Sequence, residues 1–396
     1  MKVRVPSYFD DFKCIAQKCE DTCCAGWGIV IDEITNERYK NVNNEFGEVL
    51  KSKIIKDEDG DVVFLLDNGN CSFLNKHNLC DIYSNLGEDY LCHTCKEYPR
   101  YTEEFFDLKE VGISLSCPES ARIILKSEEN FNFKLSESTT ENILESDIDK
   151  DVFLNFLNCR SVIFGILQKK HLGLDIRICI ILKFVKEIQD KIDLGDMAEI
   201  VDVIEEYNNE KFLDKIIKSL YTYKQKYADK YKNIYEYFKV YKDIRHINEN
   251  DPLCLNNALK YFKENENLLT YKHKEFDDYY KKSLFKFENI LVYFIFRYFM
   301  KAIFDYDVSA KIKLAIISML MIKELSIVRW IEKGNFIEED LVDIAHMYSK
   351  DIEHSDENVE ALQEVFETRD IFDSDEIIAT ILNYFIKLNQ IICRVN

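Results

Sequence analysis

From about residue 150 onward, apolar residues recur every three or four positions with polar residues between them, the period of amphipathic helices. Residues 309–333 read as one long helix closed by Gly334, where a left-handed residue suits a helix end. A last helix is expected from Asp373, which precedes Glu376 as in a capping box, with apolar stripes at Ile377, Ile381 and Phe385 and at Ile378, Leu382 and Ile386. The pattern before residue 125 is shorter and mixed. Strand signals fall at 29–31, 62–66 and within 105–115, and Pro118 suits the first turn of a helix running through 121–125. Cys117 then stands at or near a helix N-cap, a position expected to lower its thiol pKa and to favour an anionic group. Residues 127–150 are polar, acidic and weakly periodic. The fold class predicted is mainly α: a small α+β cysteine-rich metal-binding domain over 1–126, an acidic linker over 127–150, and a large all-helical domain over 151–396, expected to shape a substrate groove.

Composition narrows the chemistry. The 396 residues include 11 glycines and 4 prolines, against about 28 and about 20 at average usage. Phosphate-cradling loops need clustered glycines, and the one close pair is Gly26 and Gly28. This argues against nucleotide-binding folds of the P-loop or Rossmann type. A net charge of −20 repels nucleic acid and anionic membranes and favours a basic partner. The longest apolar runs, 291–296 and 314–322, fall short of the roughly 20 residues of a membrane span. The opening MKVRVPSYFDDFKC is charged throughout, unlike a secretory signal, so a cytoplasmic protein is expected. In a reducing compartment its 13 cysteines are read as metal ligands or redox groups in preference to disulfides.

Nine of those cysteines crowd into residues 14–117. The first group is Cys14-x4-Cys19-x3-Cys23-Cys24, followed by Ala25-Gly26-Trp27-Gly28; the second is Cys71, Cys80, Cys92, Cys95 and Cys117. Thiolates a few residues apart converge readily on a soft metal. Adjacent Cys23 and Cys24 cannot point the same way without strain, so one ligates and the other packs, or the two serve different centres. Cys92-x2-Cys95 is both a zinc-knuckle and a thiol-redox spacing. The redox reading needs a βαβ context that the sequence does not offer. Four thiolates suit zinc and iron-sulfur equally. A Cys-x3-Cys-x2-Cys run begun at Cys19 would need a third cysteine at Gly26. Nine candidates exceed the four of one closed site. The other four cysteines, Cys159, Cys179, Cys254 and Cys393, are isolated on helical segments and are expected to behave as small apolar residues. A zinc- or iron-binding interaction or metal-handling protein, and a thiol oxidoreductase working through Cys92 and Cys95, stand as alternatives to an enzyme built on a metal centre.

The ordered motifs YFDDFKC, CEDTCCAGWGIVID, CSFL, LCDIYSNLGEDYLCHTCKEYPR and EVGISLSCPESARIIL resemble the flagellin lysine N-methylase family, within a wider group of zinc- or iron-chelating cysteine-cluster proteins. The resemblance is strong over the first 125 or so residues and beyond them rests on length and helical character. It implies methyl transfer from S-adenosylmethionine to lysine ε-amines of flagellin, by a protein carrying a [4Fe-4S] cluster, with zinc as the other candidate metal. It carries over to the nine clustered cysteines as metal ligands. Ser72 stands where the family is expected to have proline.

A lysine ammonium must lose a proton before attacking a methyl sulfonium, so desolvation or a base is needed. Asp21 and Tyr98 are the expected catalytic residues, with Glu20 and Glu97 also beside the cysteines. Arg100 is expected to hold the donor's carboxylate and Trp27 to stack over its sulfonium. Each also has a plain role available, as solvated charge, backbone hydrogen bond or core plug. His171, His246, His273, His346 and His354 are widely spaced without metal-ligand pairing.

Overall fold

The computed structural model describes residues 1–384 apart from 59, 127–130, 138–147, 227–229, 245, 247–252 and 265. Its strands, in chain order, are β1 (Lys2–Pro6), β2 (Ile54–Lys56), β3 (Val62–Phe64), β4 (Leu66–Asp67), β5 (Asn70–Cys71), β6 (Arg100–Phe105), β7 (Leu108–Ile113) and β8 (Phe133–Glu137). Four of them form a sheet in the order β6-β7-β1-β8. β1 runs parallel to β7, with Lys2 opposite Leu108, and antiparallel to β8, with Val3 opposite Ser136. The chain therefore leaves the sheet after β1, makes the whole cysteine-rich excursion, and returns to it at β6.

The strand expected within 105–115 is β7, and it is one arm of a hairpin, because Phe106 takes a left-handed φ of 52° and turns β6 back into β7. Residues 29–31 form only a bridge, Val30 to Val63. Pairing stops there because the Asp32 side chain accepts from Thr35 N and starts the Glu33–Lys40 helix. In the segment expected as a linker, residues 133–137 form the edge strand β8, whose Phe133 ring stacks on Phe296 at 4.7 Å. An edge strand exposed from Lys134 to Glu137 needs no apolar alternation, so the sequence carries little sign of it.

Apolar side chains gather in two cores. The larger takes in Phe105, Leu108, Ile113 and Leu115 together with the long helices. The Val308–Lys333 helix runs through it, buried on every side over most of its length, and ends as expected on Gly334 at φ 73°. Inside the sheet-to-helix contact, Glu110 of β7 meets Arg160 of the Lys150–Leu167 helix, both nearly fully buried. Cys159 and Cys179 are core residues, Cys254 is half-buried, and Cys393 lies outside the described residues. The last helix is Ser374–Tyr384; Phe385 and Ile386 lie outside the described residues. Among the described residues no helix is long and apolar enough to cross a membrane.

The smaller core belongs to the excursion. Ile29, Ile31, Tyr39, Leu50, Phe64 and Phe73 pack there with Cys71 and Cys92, and Cys24, Cys80 and Cys95 border it.

Candidate active site between the cysteine loops and the helices

The nine clustered cysteines separate into two neighbourhoods. Cys24, Cys71, Cys80, Cys92 and Cys95 lie in or against the smaller core, with Cys71 N donating to Cys24 O at 2.6 Å. Cys14, Cys19 and Cys23 lie on the loop that faces Cys117, which belongs to the larger core. Cys23 and Cys24 are thus on opposite sides of the divide, their sulfurs 4.0 Å apart.

The electrostatics follow from crowding. Burial pushes the Cys71 thiol up to about 12, and the charges of Cys24, Cys80 and Cys92 add to the rise. Burial likewise pushes Cys19 up to about 11, with Cys117 contributing. The hydrogen bond between Cys23 and Cys24 raises the first and lowers the second to about 7; Cys95 and Cys92 divide in the same way. Cys117 does precede a helix, Pro118–Lys126, and accepts from Ala121 N through its carbonyl. Its thiol is nevertheless raised and not lowered, because burial outweighs the helix-terminal N–H groups of Ser120 and Glu119.

Buried thiols that oppose one another's ionisation are the donor set a soft cation would convert to thiolates. Among the described residues no three His, Cys, Asp or Glu side chains converge closely enough to hold a single ion. A mononuclear zinc site would need sulfurs about 3.8 Å apart in a closed tetrahedron. An iron-sulfur cluster, in which each thiolate binds a different iron, accepts ligands that stand farther apart. By donor type the set suits a soft metal, zinc or iron-sulfur alike.

Trp27 lies beside the first group, its Nε1 donating to Cys23 O at 2.9 Å. The indole is half-buried: it packs against the smaller core and on the His354 imidazole at 4.7 Å between centroids, with Tyr98 closing a third side at 5.8 Å from His354. Tyr98 Oη lies 3.2 Å from Ser116 Oγ, and burial raises its phenol pKa well above the usual value. The other expected residues stand differently. Asp21 forms an ion pair with Lys350 at 2.6 Å, so its carboxylate anchors the loop. Arg100 is exposed and lies over the Phe12 ring at 5.2 Å, with no contact among the described residues to Trp27 or His354. Glu20 pairs with Arg122.

His354 and the residues around it complete the site. The Glu338–Glu353 helix ends on Glu353 and places His354 at its C-cap. Glu353 accepts from Ser114 Oγ and from Tyr293 Oη, each at 2.6 Å. Burial first, and then the Lys350 charge, hold the His354 imidazole down at about 4, neutral near pH 7. The sequence sign was available in two places: a Glu-His pair closing an amphipathic helix, and Ser114-x-Ser116 running into a clustered cysteine.

The comparisons with known proteins bear on this meeting of loop and helices. The family described as FliB lysine N-methylase C-terminal domain matches residues 160–380. Lysine-N-methylases of Salmonella choleraesuis (strain SC-B67) and Salmonella typhimurium (strain LT2) are each 30% identical over 129 residues, 31% of this chain and 32% of theirs. The flagellar biosynthetic protein FliU of Salmonella muenchen is 30% identical over 129 residues, 31% of this chain and 76% of its own. The match thus spans about a third of the length of the two lysine-N-methylases. No solved structure matches. With its family domain supplying Glu353 and His354 to the cysteine loops, the chain belongs to the FliB lysine N-methylase family.

Proposed function

We propose that this protein transfers methyl groups from S-adenosylmethionine to lysine ε-amines of flagellin in the cytoplasm, with an iron-sulfur centre held by its clustered cysteines. The observation that carries the reading is the contact of Trp27 and Tyr98, beside Cys23 and Cys117, with His354 of the family-matched helical domain.

The chemistry required is modest. A sulfonium is already an activated methyl donor, so the protein must bind it, exclude water and present a neutral amine. The Trp27 and Tyr98 rings offer π faces to a sulfonium or an ammonium. Cys14, Cys19, Cys23 and Cys117 would hold a centre beside them, and Cys24, Cys71, Cys80, Cys92 and Cys95 supply a second ligand set. An iron centre there would contribute Lewis acidity and redox reach. The charge of −20 favours approach of a lysine-bearing surface and makes that approach weaken with salt.

The test is incubation of anaerobically purified protein with donor and bacterial flagellin, followed by mass spectrometry of lysine-containing peptides. Methyl-sized mass steps on lysine are expected. Their absence with and without oxygen overturns the reading. Absorption and metal analysis of the same protein should show iron with broad visible absorption, diminished in Cys23→Ala and in Cys92→Ala. Colourless, zinc-loaded protein without transfer is the outcome a metal-handling protein would give.

A further inference from the structure

Beneath the Trp27 and Tyr98 rings a chain of hydrogen bonds runs to a buried carboxylate. Ser116 Oγ lies 3.0 Å from His354 Nε2 and 2.5 Å from Ser114 Oγ, and Ser114 Oγ lies 2.6 Å from Glu353 Oε2. The direction of each hydrogen follows from the end of the chain. A carboxylate only accepts, so the Ser114 hydroxyl hydrogen is committed to Glu353. Two oxygens 2.5 Å apart need a hydrogen between them, and only Ser116 is left to donate it. The Ser116 oxygen must then accept, and its neighbours are Tyr98 Oη at 3.2 Å and His354 Nε2. In the neutral ring the hydrogen therefore sits on Nε2, and Nδ1 keeps its lone pair. Nδ1 is buried and has no hydrogen-bond partner among the described residues. An acceptor so placed lacks a donor that a ligand would bring.

We infer that His354 Nδ1 receives the proton of the incoming lysine ammonium, and that Glu353, Ser114 and Ser116 are positioning residues that fix its tautomer. This rests on the methyl-transfer reading above. The lysine Nζ–H bond breaks and its proton passes to Nδ1. The freed Nζ lone pair then forms the N–C bond to the donor methyl as the S–C bond breaks, and the S–C electron pair stays on sulfur as a neutral thioether. Nδ1 is buried, and the half-buried Trp27 and Tyr98 rings pack on its imidazole, so an ammonium reaches it where one of those rings gives way. The charges that face the imidazole are Lys350, Asp351 and Glu353 of its own helix, Asp21 of the cysteine loop and Arg297 of the Phe285–Tyr298 helix. Lys350 and Arg297 favour the neutral ring, while Asp21 and Asp351 act against them less strongly than burial acts.

The experiment measures methyl transfer by the full-length, metal-loaded protein and by three variants, with donor binding followed separately by equilibrium dialysis. His354→Ala should lose about 100-fold or more in kcat. Added 4-methylimidazole should restore about tenfold of that loss, because a free base can enter the vacated space. His354→Gln, which keeps an N–H for Ser116 and lacks a base, should be as inactive as the alanine variant while still binding donor. Ser116→Ala should fall by about tenfold, as expected for loss of positioning. Transfer by His354→Gln within threefold of wild type, or a His354→Ala defect that the imidazole leaves untouched in a protein that still binds donor, overturns the inference. If wild-type protein itself transfers no methyl group, the methyl-transfer reading fails instead, and the two failures are distinct.

Discussion

Asp21 and Lys350 lie 2.6 Å apart although 329 positions separate them in the chain. The lysine is nearly buried and the carboxylate about a quarter exposed, so water screens the pair on one side only. Asp21→Asn should leave Lys350 as an unmatched buried charge and lower stability by about 1–3 kcal/mol. Adding Lys350→Met should recover most of the loss. Urea unfolding of the single and double variants checks this, and amide exchange over residues 19–27 should quicken in Asp21→Asn alone.

Glu110 accepts from two arginines inside the sheet-to-helix contact, Arg160 and, at 3.0 Å, Arg4. Glu110→Gln would strand Arg160 at 1% exposure. A loss of about 3–5 kcal/mol is expected, and pairing the change with Arg160→Met should return much of it. Denaturant midpoints on the four proteins of this cycle give the coupling directly.

Acid stability should carry a His354 signature. Its folded-state pKa lies below that of a free histidine, at about 4, so between about 4 and about 6.5 the unfolded chain binds a proton that the folded one does not. The associated stability is complete above about pH 6.5 and is lost as pH falls toward 4, by up to about 3 kcal/mol. The difference in unfolding free energy between pH 7.5 and pH 4.5 should therefore be smaller in His354→Gln than in wild type. Equal differences would show that the imidazole is not held neutral.

Gly47 is tightly enclosed. A Cβ there would meet Val42 O at 2.1 Å, inside the turn that carries the chain into the Glu45–Ser52 helix. Gly47→Ala should cost about 1–3 kcal/mol and loosen the smaller core. Gly28→Ala, which meets nothing within 4 Å, should leave the melting temperature unchanged and serves as the comparison.

What the sequence disclosed and what it withheld have physical causes. The Val308–Lys333 helix and its Gly334 stop were legible because helix period and C-cap chemistry are local. The cysteine clusters were legible because their residue type is rare and their spacing short. The hairpin turn at Phe106 carries no glycine or asparagine to announce it, and β8 is an exposed edge without alternation. His354 was hidden for another reason. Its partners are Ser116, 238 positions away, and two aromatic rings of the cysteine loops. No local pattern encodes such a meeting, and a histidine that ends a helix reads as solvated until its neighbours are known.

The parallel pairing of β1 with β7 also bears on how the chain reaches its native state. Arg4 and Glu110 are 106 positions apart, and among the described residues the strands that pair with β1 are β7 and β8. β1 has no local partner, so it stays without a sheet until both later strands have found it, and contacts of that range form slowly. Once the sheet forms, it holds the two ends of the cysteine-rich excursion near one another. For a free loop of about 90 residues that closure would cost about 4 kcal/mol of entropy. Any ligand that gathers thiols among the eight cysteines of that excursion therefore meets a segment whose ends are already tethered, and its binding should become tighter in step with sheet formation.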